Sequence, residues 1–278
     1  MGAVVVDPGS SSLVLDPEHV LDRASMNLAN ALLGNSDAAP GLEVLVGGLK
    51  LRFVTGSAVA VTGAEGVVTL NGEELPLNKP VRVAPGAVLS FGPARFGIRY
   101  YLAVQGGFTG RGALQAGAAL SFGKAQLSFG QAQLSFGKAQ LSFGQAQGQG
   151  FPRIHQTARR ALDPERPVVA RISRGPRVPN YDAGLWHRLT TEPWILSPES
   201  DRVGARLAGR PLEVASAPAP QAQPLAAGSV VLPASGLPVI ALADRPATAK
   251  SPVIAFVRDD DLDLIGQARP GQMVHLLG

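Results

Sequence analysis

Two rhythms of apolar and polar residues follow one another along this chain. Near the start, Met26, Ala29, Leu32 and Leu33 recur at the spacing of one helical face. Asp22 stands where an N-cap belongs and Gly34-Asn35 where a helix stops. After Pro40 the period drops to two: Leu49, Leu51 and Phe53 alternate with Lys50 and Arg52, as on a strand with one buried face. Further strand-like segments follow at Val59–Val61, Val67–Leu70, Val81–Val83, Val88–Phe91 and Ile98–Val104. Asn71-Gly72 between two apolar runs predicts a two-residue hairpin, and Ala84-Pro85-Gly86 predicts a second turn.

The style returns in the second half. Val168–Ile172, Trp194–Leu196, Gly204–Leu207, Val230–Leu232, Val239–Ala243, Val253–Val257 and Met273–Leu277 predict strands. A short helix is predicted over Asp261–Ala268, with acidic residues at its start. The Pro85-Gly86 turn feeds a strand that ends at Gly92, and Pro270-Gly271 feeds one that ends at Gly278. That shared turn points to a duplicated barrel.

Between the halves lies a perfect repeat. Leu120-Ser-Phe-Gly-Lys-Ala-Gln126 recurs three more times through Gln147, with Lys124, Gln131, Lys138 and Gln145 alternating at the fifth position. A period of seven suggests a coiled coil, but each unit has one strong apolar residue for the seam and a glycine that costs about 1 kcal/mol in a helix. Leu and Phe two apart share one face of a short strand instead. The segment is expected to be an exposed insert, since loops tolerate insertion. The expected division is therefore 1–118, a first β half with its helix; 119–150, the repeat insert; and 151–278, a second β half.

Composition narrows the class. Hydrophobic residues at 45% against 17% charged describe a globular chain. Glycine and proline together make up about a fifth, which suits short strands and tight turns. The chain has no cysteine, so disulfides, thiol nucleophiles and zinc–thiolate sites are excluded. Met1–Ser12 lacks the features of a signal peptide, and no window approaches the ~18 apolar residues of a membrane span. A cytoplasmic location and no membrane partner are expected.

The net charge is only +4, but 20 of the 25 basic residues are arginine. Arg153, Arg159, Arg160, Arg166, Arg171, Arg174, Arg177 and Arg188 face only Asp163, Glu165 and Asp182 over the same stretch. A guanidinium suits carboxylate and phosphate. A nucleic-acid surface would interleave aromatics, and this stretch offers only Phe151, Tyr181 and Trp186. A solvated arm or an anionic partner fits better than nucleic acid.

No self-sufficient catalytic motif stands out: there is no phosphate-binding GxxxxGK[ST], GxSxG elbow, HExxH or EF-hand loop. Ser121-Phe-Gly-Lys124 matches S-x-x-K only by coincidence of the repeat. The histidines at 19, 155, 187 and 275 have no ligand spacing, and no metal is expected. His275 is expected in an exposed or edge position. Asp259-Asp260-Asp261 with Asp263 reads as the acidic start of a helix rather than a cation site. Trp186 and Trp194 read as core or interface anchors.

Several segments, in order, resemble the 5-oxoprolinase C-subunit (KipA) family, which is itself similar to part of the carboxyltransferase domain of urea carboxylase. They are Leu28-Ala-Asn-Ala-Leu-Leu-Gly-Asn35, Leu42-Glu-Val-Leu-Val-Gly-Gly-Leu49, Val61-Thr-Gly-Ala64 with Leu70-Asn-Gly-Glu73, and Ile98-Arg-Tyr-Tyr-Leu-Ala-Val-Gln-Gly-Gly107. Arg174-Gly-Pro176, the block from Trp194 to Gly209, and that from Pro238 through Thr248 to Gly271 complete the set.

The resemblance implies a mainly β fold of two tandem cyclophilin-like β-barrel halves with few short helices. It implies partnership with a KipI-like subunit, in many cases joined by a LamB/YcsF-like one. The implied reaction is ATP-dependent opening of 5-oxoproline to glutamate, with ATP supplied in the complex. Carried over residue by residue, it implies catalytic roles for Asp7, Glu43 and Asp244, and substrate or ATP binding by Asn35, Arg174, Ser200, Arg202, Arg206 and Thr248.

Seven of these nine residues have a plain structural alternative. Glu43 can pair with an arginine inside a barrel, Asn35 can end a helix, and Ser200 can serve the turn before Gly204. Arg202 and Arg206 can form surface ion pairs, and Asp244 and Thr248 can bond their own turns. Three loops also depart from the family pattern. Val6-Asp7-Pro-Gly-Ser10 replaces QDxGRxG, Thr109-Gly-Arg-Gly112 replaces GSRSTD, and Ala247–Pro252 replaces TTGGYP. These departures imply an altered substrate or lost catalysis. They leave two other readings: a KipA-like regulatory antagonist of a kinase inhibitor, and a carboxyltransferase component that works with carboxybiotin on a separate carrier.

Overall fold

A computed structural model describes residues 1–124, 162–175, 183–213 and 222–278. The repeat from Ala125 onward and His155 lie outside the described residues. The described chain is mainly β, with three α-helices.

The first half opens with β1 (Ala3–Pro8), β2 (Ser11–Leu15) and α1 (Arg23–Leu32). It continues through β3 (Gly41–Leu45), β4 (Leu49–Phe53), β5 (Ser57–Leu70), β6 (Glu73–Glu74) and β7 (Pro80–Val83). It closes with β8 (Val88–Val104), β9 (Gly112–Ala113) and β10 (Ala119–Leu120). Asp22 caps α1 as expected, accepting from the Ser25 N–H at 2.9 Å. The ten strands form one sheet, ordered β10-β1-β4-β8-β3-β2-β9, with β5 laid along β8 and carrying β6 and β7.

The pattern predicts separate short strands at 59–61 and 67–70, and at 88–91 and 98–104. The structure instead joins each pair into one long strand. β5 and β8 run antiparallel from Val59↔Val104 to Leu70↔Leu89, with register shifts around Gly63–Val68. Gly63, Gly66, Gly92, Pro93 and Gly97 therefore bulge the ladder without breaking it. Asn71 and Gly72 have φ of 55° and 86°, the left-handed pair that a tight hairpin turn requires. Leu42, Leu49, Leu51, Phe53, Leu89 and Leu102 are fully buried and form the centre of the first core.

The second half comprises β11 (Val168–Arg174), α2 (Ala183–Thr191), β12 (Trp194–Leu196), β13 (Gly204–Ala208) and β14 (Gln223–Pro224). Then come β15 (Ser229–Val231), β16 (Val239–Ala241), β17 (Thr248–Ala249), β18 (Val253–Val257), α3 (Asp259–Gln267) and β19 (Met273–Leu277). Seven of its strands close a barrel, β11-β18-β15-β16-β13-β12-β19, in which β11 and β19 run parallel. The half-buried His275 therefore sits on an interior strand, not at an edge.

The hydrophobic pattern does not announce α2. Its Leu185 and Leu189 are buried in the barrel core beside the fully buried Trp194, whose indole N–H bonds to the Leu189 carbonyl at 3.1 Å. No helix among the described residues is long and apolar enough to cross a membrane.

The start of the first repeat unit, Leu120–Gly123, expected in the insert, joins the first half instead. Leu120 pairs with Ala3 on β1, and Phe122 bridges to Phe108.

Candidate functional site

The halves meet along a polar seam, and α3 is its wedge. The Gln267 side chain receives the backbone N–H groups of Ile98 and Arg99 at 3.0 and 2.9 Å, and donates to Asp22 at 2.8 Å and to the Arg99 carbonyl at 2.9 Å. Arg269 reaches the carbonyls of Ala94 and Gly97 on β8. Asp263 accepts from the first backbone N–H groups of α1, Arg23 at 2.8 Å and Ala24 at 3.3 Å. A carboxylate there satisfies orphan donors and meets the positive end of the helix dipole.

Beside this wedge, Glu43 on β3 is 4% exposed and fully bonded. One carboxylate oxygen accepts from the Leu21 N–H at 3.0 Å and the Tyr101 hydroxyl at 2.9 Å. The other faces the Arg202 guanidinium and lies 3.5 Å from Arg99 Nε. Arg202, in the turn between β12 and β13, also grips Asp244 through Nε at 2.8 Å and Nη2 at 3.2 Å, and donates to the His19 carbonyl at 2.5 Å. One arginine thus ties β3 and the 17–20 segment of the first half to the barrel rim of the second.

Burial works against the Arg202 charge, but hydrogen bonding to Asp244 and the charge of Glu43 more than offset it, and its proton is held more tightly than usual. Burial raises the Tyr101 hydroxyl well above the usual range, with the charges of Glu43 and Asp22 acting in the same direction, so it stays a neutral donor. Asp22 is pushed up by complete burial, opposed by its bonds to Ser25 and Gln267. Asp263 is pushed up to about 7 by burial and the Asp22 charge, opposed by its two bonds at the start of α1.

A cleft opens at this seam between Val20, Leu21 and Arg23 on one side and Ala241, Leu242, Ala243, Leu262 and Asp263 on the other. Asp244 follows directly on that rim with a side chain 47% exposed. Among the described residues, no cluster of histidines and carboxylates is arranged to hold a metal ion.

Of the nine residues carried over from the resemblance, the structure brings together Glu43, Arg202 and Asp244. The other six serve elsewhere. Asp7 is exposed and accepts from the Gly9 N–H at 3.0 Å within its own turn. Asn35 bonds the Val104 carbonyl and the Gly106 N–H, each at 2.8 Å, and so locks the end of α1 onto β8. Arg174 stacks over Trp186, 4.9 Å from the ring centre. Ser200 and Arg206 close the turn between β12 and β13: the Ser200 hydroxyl accepts from the Arg206 N–H at 3.0 Å, and Arg206 Nε donates to the Glu199 carbonyl. Thr248 is exposed on β17, opposite Pro224.

Sequence reasoning did not single out Tyr101 or Gln267, because a tyrosine in an apolar strand and a glutamine late in a helix carry no local signal. Asp22 reads only as a helix cap, which it also is. Asp263 reads as part of the acidic start of its own helix, but it lies in the middle of α3 and meets the start of α1 instead.

The arrangement has a definite chemical capacity. Arg202 spends four of its five N–H bonds inside the protein and keeps one Nη1 hydrogen without a partner among the described residues. Asp244 presents oxygens whose orientation is set by Arg202 while their remaining lone pairs face solvent. Such a pair can accept a proton or an N–H from a bound molecule and donate one bond to an adjacent oxygen.

Known proteins resemble the chain along its length. It is 29% identical over 256 residues to the C subunit of 5-oxoprolinase from Haemophilus influenzae, covering 91% of this chain and 80% of the relative. The crystal structure of TTHA0988 superposes with a TM-score of 0.74 at 27% identity, covering all of both chains. That of the K. lactis urea amidolyase gives 0.78 at 22% identity, covering 99% of this chain and 18% of that one, and attests the fold. With its residues 20–277 matched by the model of the carboxyltransferase domain, subdomain A and B, the chain belongs to that family.

Proposed function

We propose that this chain is a non-autonomous subunit of a cytoplasmic, ATP-dependent amide hydrolase that opens 5-oxoproline to glutamate. The observation that carries the reading is the Arg202–Asp244 pair at the mouth of the seam, held from behind by the buried Glu43. The likeness to the C subunit of 5-oxoprolinase along 91% of the chain supports the same reading.

Opening a lactam requires activation of its carbonyl, delivery of water, and protonation of the departing nitrogen. Asp244 suits the proton work, and the remaining Arg202 hydrogen suits an oxygen that gains charge. Glu43 is a positioning residue in this scheme. Its acceptor sites are already filled, and it acts through Arg202. The chain has no phosphate-binding loop motif, so ATP would be held with a KipI-like partner subunit, in many cases joined by a LamB/YcsF-like one.

The test is purification of the tagged chain from its native host, with partners identified by mass spectrometry and the eluate assayed for glutamate release from 5-oxoproline with and without ATP. ATP-dependent release that Asp244→Asn abolishes, without loss of partners, supports the proposal. Partners without release would favour the regulatory reading, and biotin-dependent carboxylation in the same eluate would favour the carboxyltransferase one.

A further inference from the structure

The strand position of β10 imposes a short list of requirements, and the first repeat unit meets all of them. Ala118 packs partly buried against the first core, and its carbonyl accepts from the Val5 N–H at 3.0 Å. Ala119 is exposed opposite Val4. Leu120 is 8% exposed, and its carbonyl accepts from the Gly2 N–H at 2.7 Å. Ser121 contributes its carbonyl to the Thr109 N–H at 3.0 Å. The Phe122 ring packs 5.6 Å from that of Phe108 and 5.9 Å from that of Phe53, in space that only a glycine at position 2 leaves open. Gly123 lies where a Cβ would run into the Gly106 carbonyl. The position therefore demands Ala, any exposed residue, Leu, any residue offering its carbonyl, Phe and Gly.

The chain meets this demand three more times. Ala125-Gln-Leu-Ser-Phe-Gly130, Ala132-Gln-Leu-Ser-Phe-Gly137 and Ala139-Gln-Leu-Ser-Phe-Gly144 differ from Ala118–Gly123 only at the exposed position, where glutamine replaces Ala119. We propose that the four copies are alternative occupants of this one strand position, so that the chain shifts register at β10 in steps of seven residues.

A register is weakly specified wherever a slipped strand presents the same side chains to the same face, and here it presents identical ones. Each step moves seven residues from the connection between the halves into a surface loop beside β9. The 38 residues between Gly123 and Leu162 become 31, 24 or 17. Even 17 extended residues reach roughly 55 Å, on the order of the diameter of a domain this size.

The first copy is the resident. The residue before it, Gly117, has φ of 80°, and Lys124, Gln131 or Lys138 would have to adopt that conformation after a shift. The added loop also has to close. The other copies are therefore minor occupants that take over when the first is damaged. The device adjusts the length of chain joining the halves while leaving the first core unchanged.

The absence of native cysteine makes the test clean. Val4→Cys is combined, in the full chain, with Ala119→Cys, Gln126→Cys, Gln133→Cys or Gln140→Cys, and disulfides are mapped by mass spectrometry after mild oxidation. Each pair is made both with the first copy intact and with Leu120→Ser and Phe122→Ser. An intrachain Val4–Gln126 link that is minor with the first copy intact, and several-fold stronger in the damaged one, is expected. Failure of that link in both backgrounds overturns the proposal. Links only between molecules overturn it too, in favour of strand exchange between copies.

Thermal unfolding gives an independent readout. Leu120→Ser with Phe122→Ser lowers Tm by a few degrees in the full chain. In a chain lacking residues 127–147 it lowers Tm several times more, relative to the deletion alone. Equal losses in both overturn the proposal.

Discussion

Glu43 and Asp244 share one arginine, yet one side chain is 4% exposed and the other 47%. The inner end of the seam is closed: Glu43 has a backbone N–H, a neutral phenol and two guanidinium groups around it. At the outer end, Asp244 meets water. The same chemical pair thus holds the halves together at one end and exposes carboxylate oxygens at the other. Solvent access, not residue type, divides the two roles.

The sharpest way to break the comparison is Glu43→Ala. It strands the charge of Arg202 and the hydroxyl of Tyr101, and breaking a buried pair costs about 3–5 kcal/mol. Chemical denaturation of the purified chain measures this, and a loss below about 1 kcal/mol would show that the seam is not clamped there. Gln267→Ala should follow, at about 2–3 kcal/mol, because the N–H groups of Ile98 and Arg99 lose a buried acceptor.

Titration sharpens the picture of the closed end. Asp263 titrates at about 7 in the folded chain, against an ordinary value of 3.8. The folded state therefore holds a proton through that window that the unfolded chain has released. Stability from this group falls as pH rises from about 4 to 7. Asp22, raised in the same direction by burial, adds to the fall. Asp261 goes the other way. Burial opposes its charge, but its bonds to Arg171 win and lower its value, so its contribution is lost as pH falls through the acid range. A Tm maximum in mildly acidic buffer is expected, and Asp263→Asn should flatten the decline between pH 5 and 8. An unchanged slope would mean that Asp263 is not the group responsible.

At the open end, Asp244→Asn should change stability by less than about 1 kcal/mol, as exposed ion pairs do. It should nonetheless lower the activity of the assembled complex by about a hundredfold or more if Asp244 handles the proton. The smallest effect belongs to Arg174→Ala. Loss of its stacking on Trp186 should cost about 0.5–1 kcal/mol and leave the seam untouched. A large activity loss in that variant would restore Arg174 to the site.

Part of this was legible in order along the chain. The alternation from Leu49 to Phe53, the Asn71-Gly72 turn and the Asp22 cap each depend on neighbours within a few residues, and each stands in the structure as the pattern predicts. The strands β1 and β2 were not legible. Their apolar residues surround the Asp7-Pro8-Gly9 turn, and β1 gains its pairing from β4 and β10, far along the chain. The continuity of β8 was hidden for a similar reason. Gly92, Pro93 and Gly97 are breakers locally but bulges when β5 holds the ladder on the other side.

The candidate site divides in the same way. The chemistry of Glu43, Arg202 and Asp244 could be named from the sequence, but not their meeting, which joins residues 159 and 42 positions apart. Asn35 and Ser200 are polar candidates too, yet the fold consumes them in a helix end and a turn. Sequence alone determined the strand-rich class, the Asn71-Gly72 and Pro85-Gly86 turns, the cap of the first helix and the repeat, because those follow from local sterics and from periodic burial. Only the tertiary structure decided which charges meet, which stay wet, and that the repeat begins on a strand of the first half, at Leu120. Burial and pairing partners are set by the packing of distant segments, and no local pattern encodes them.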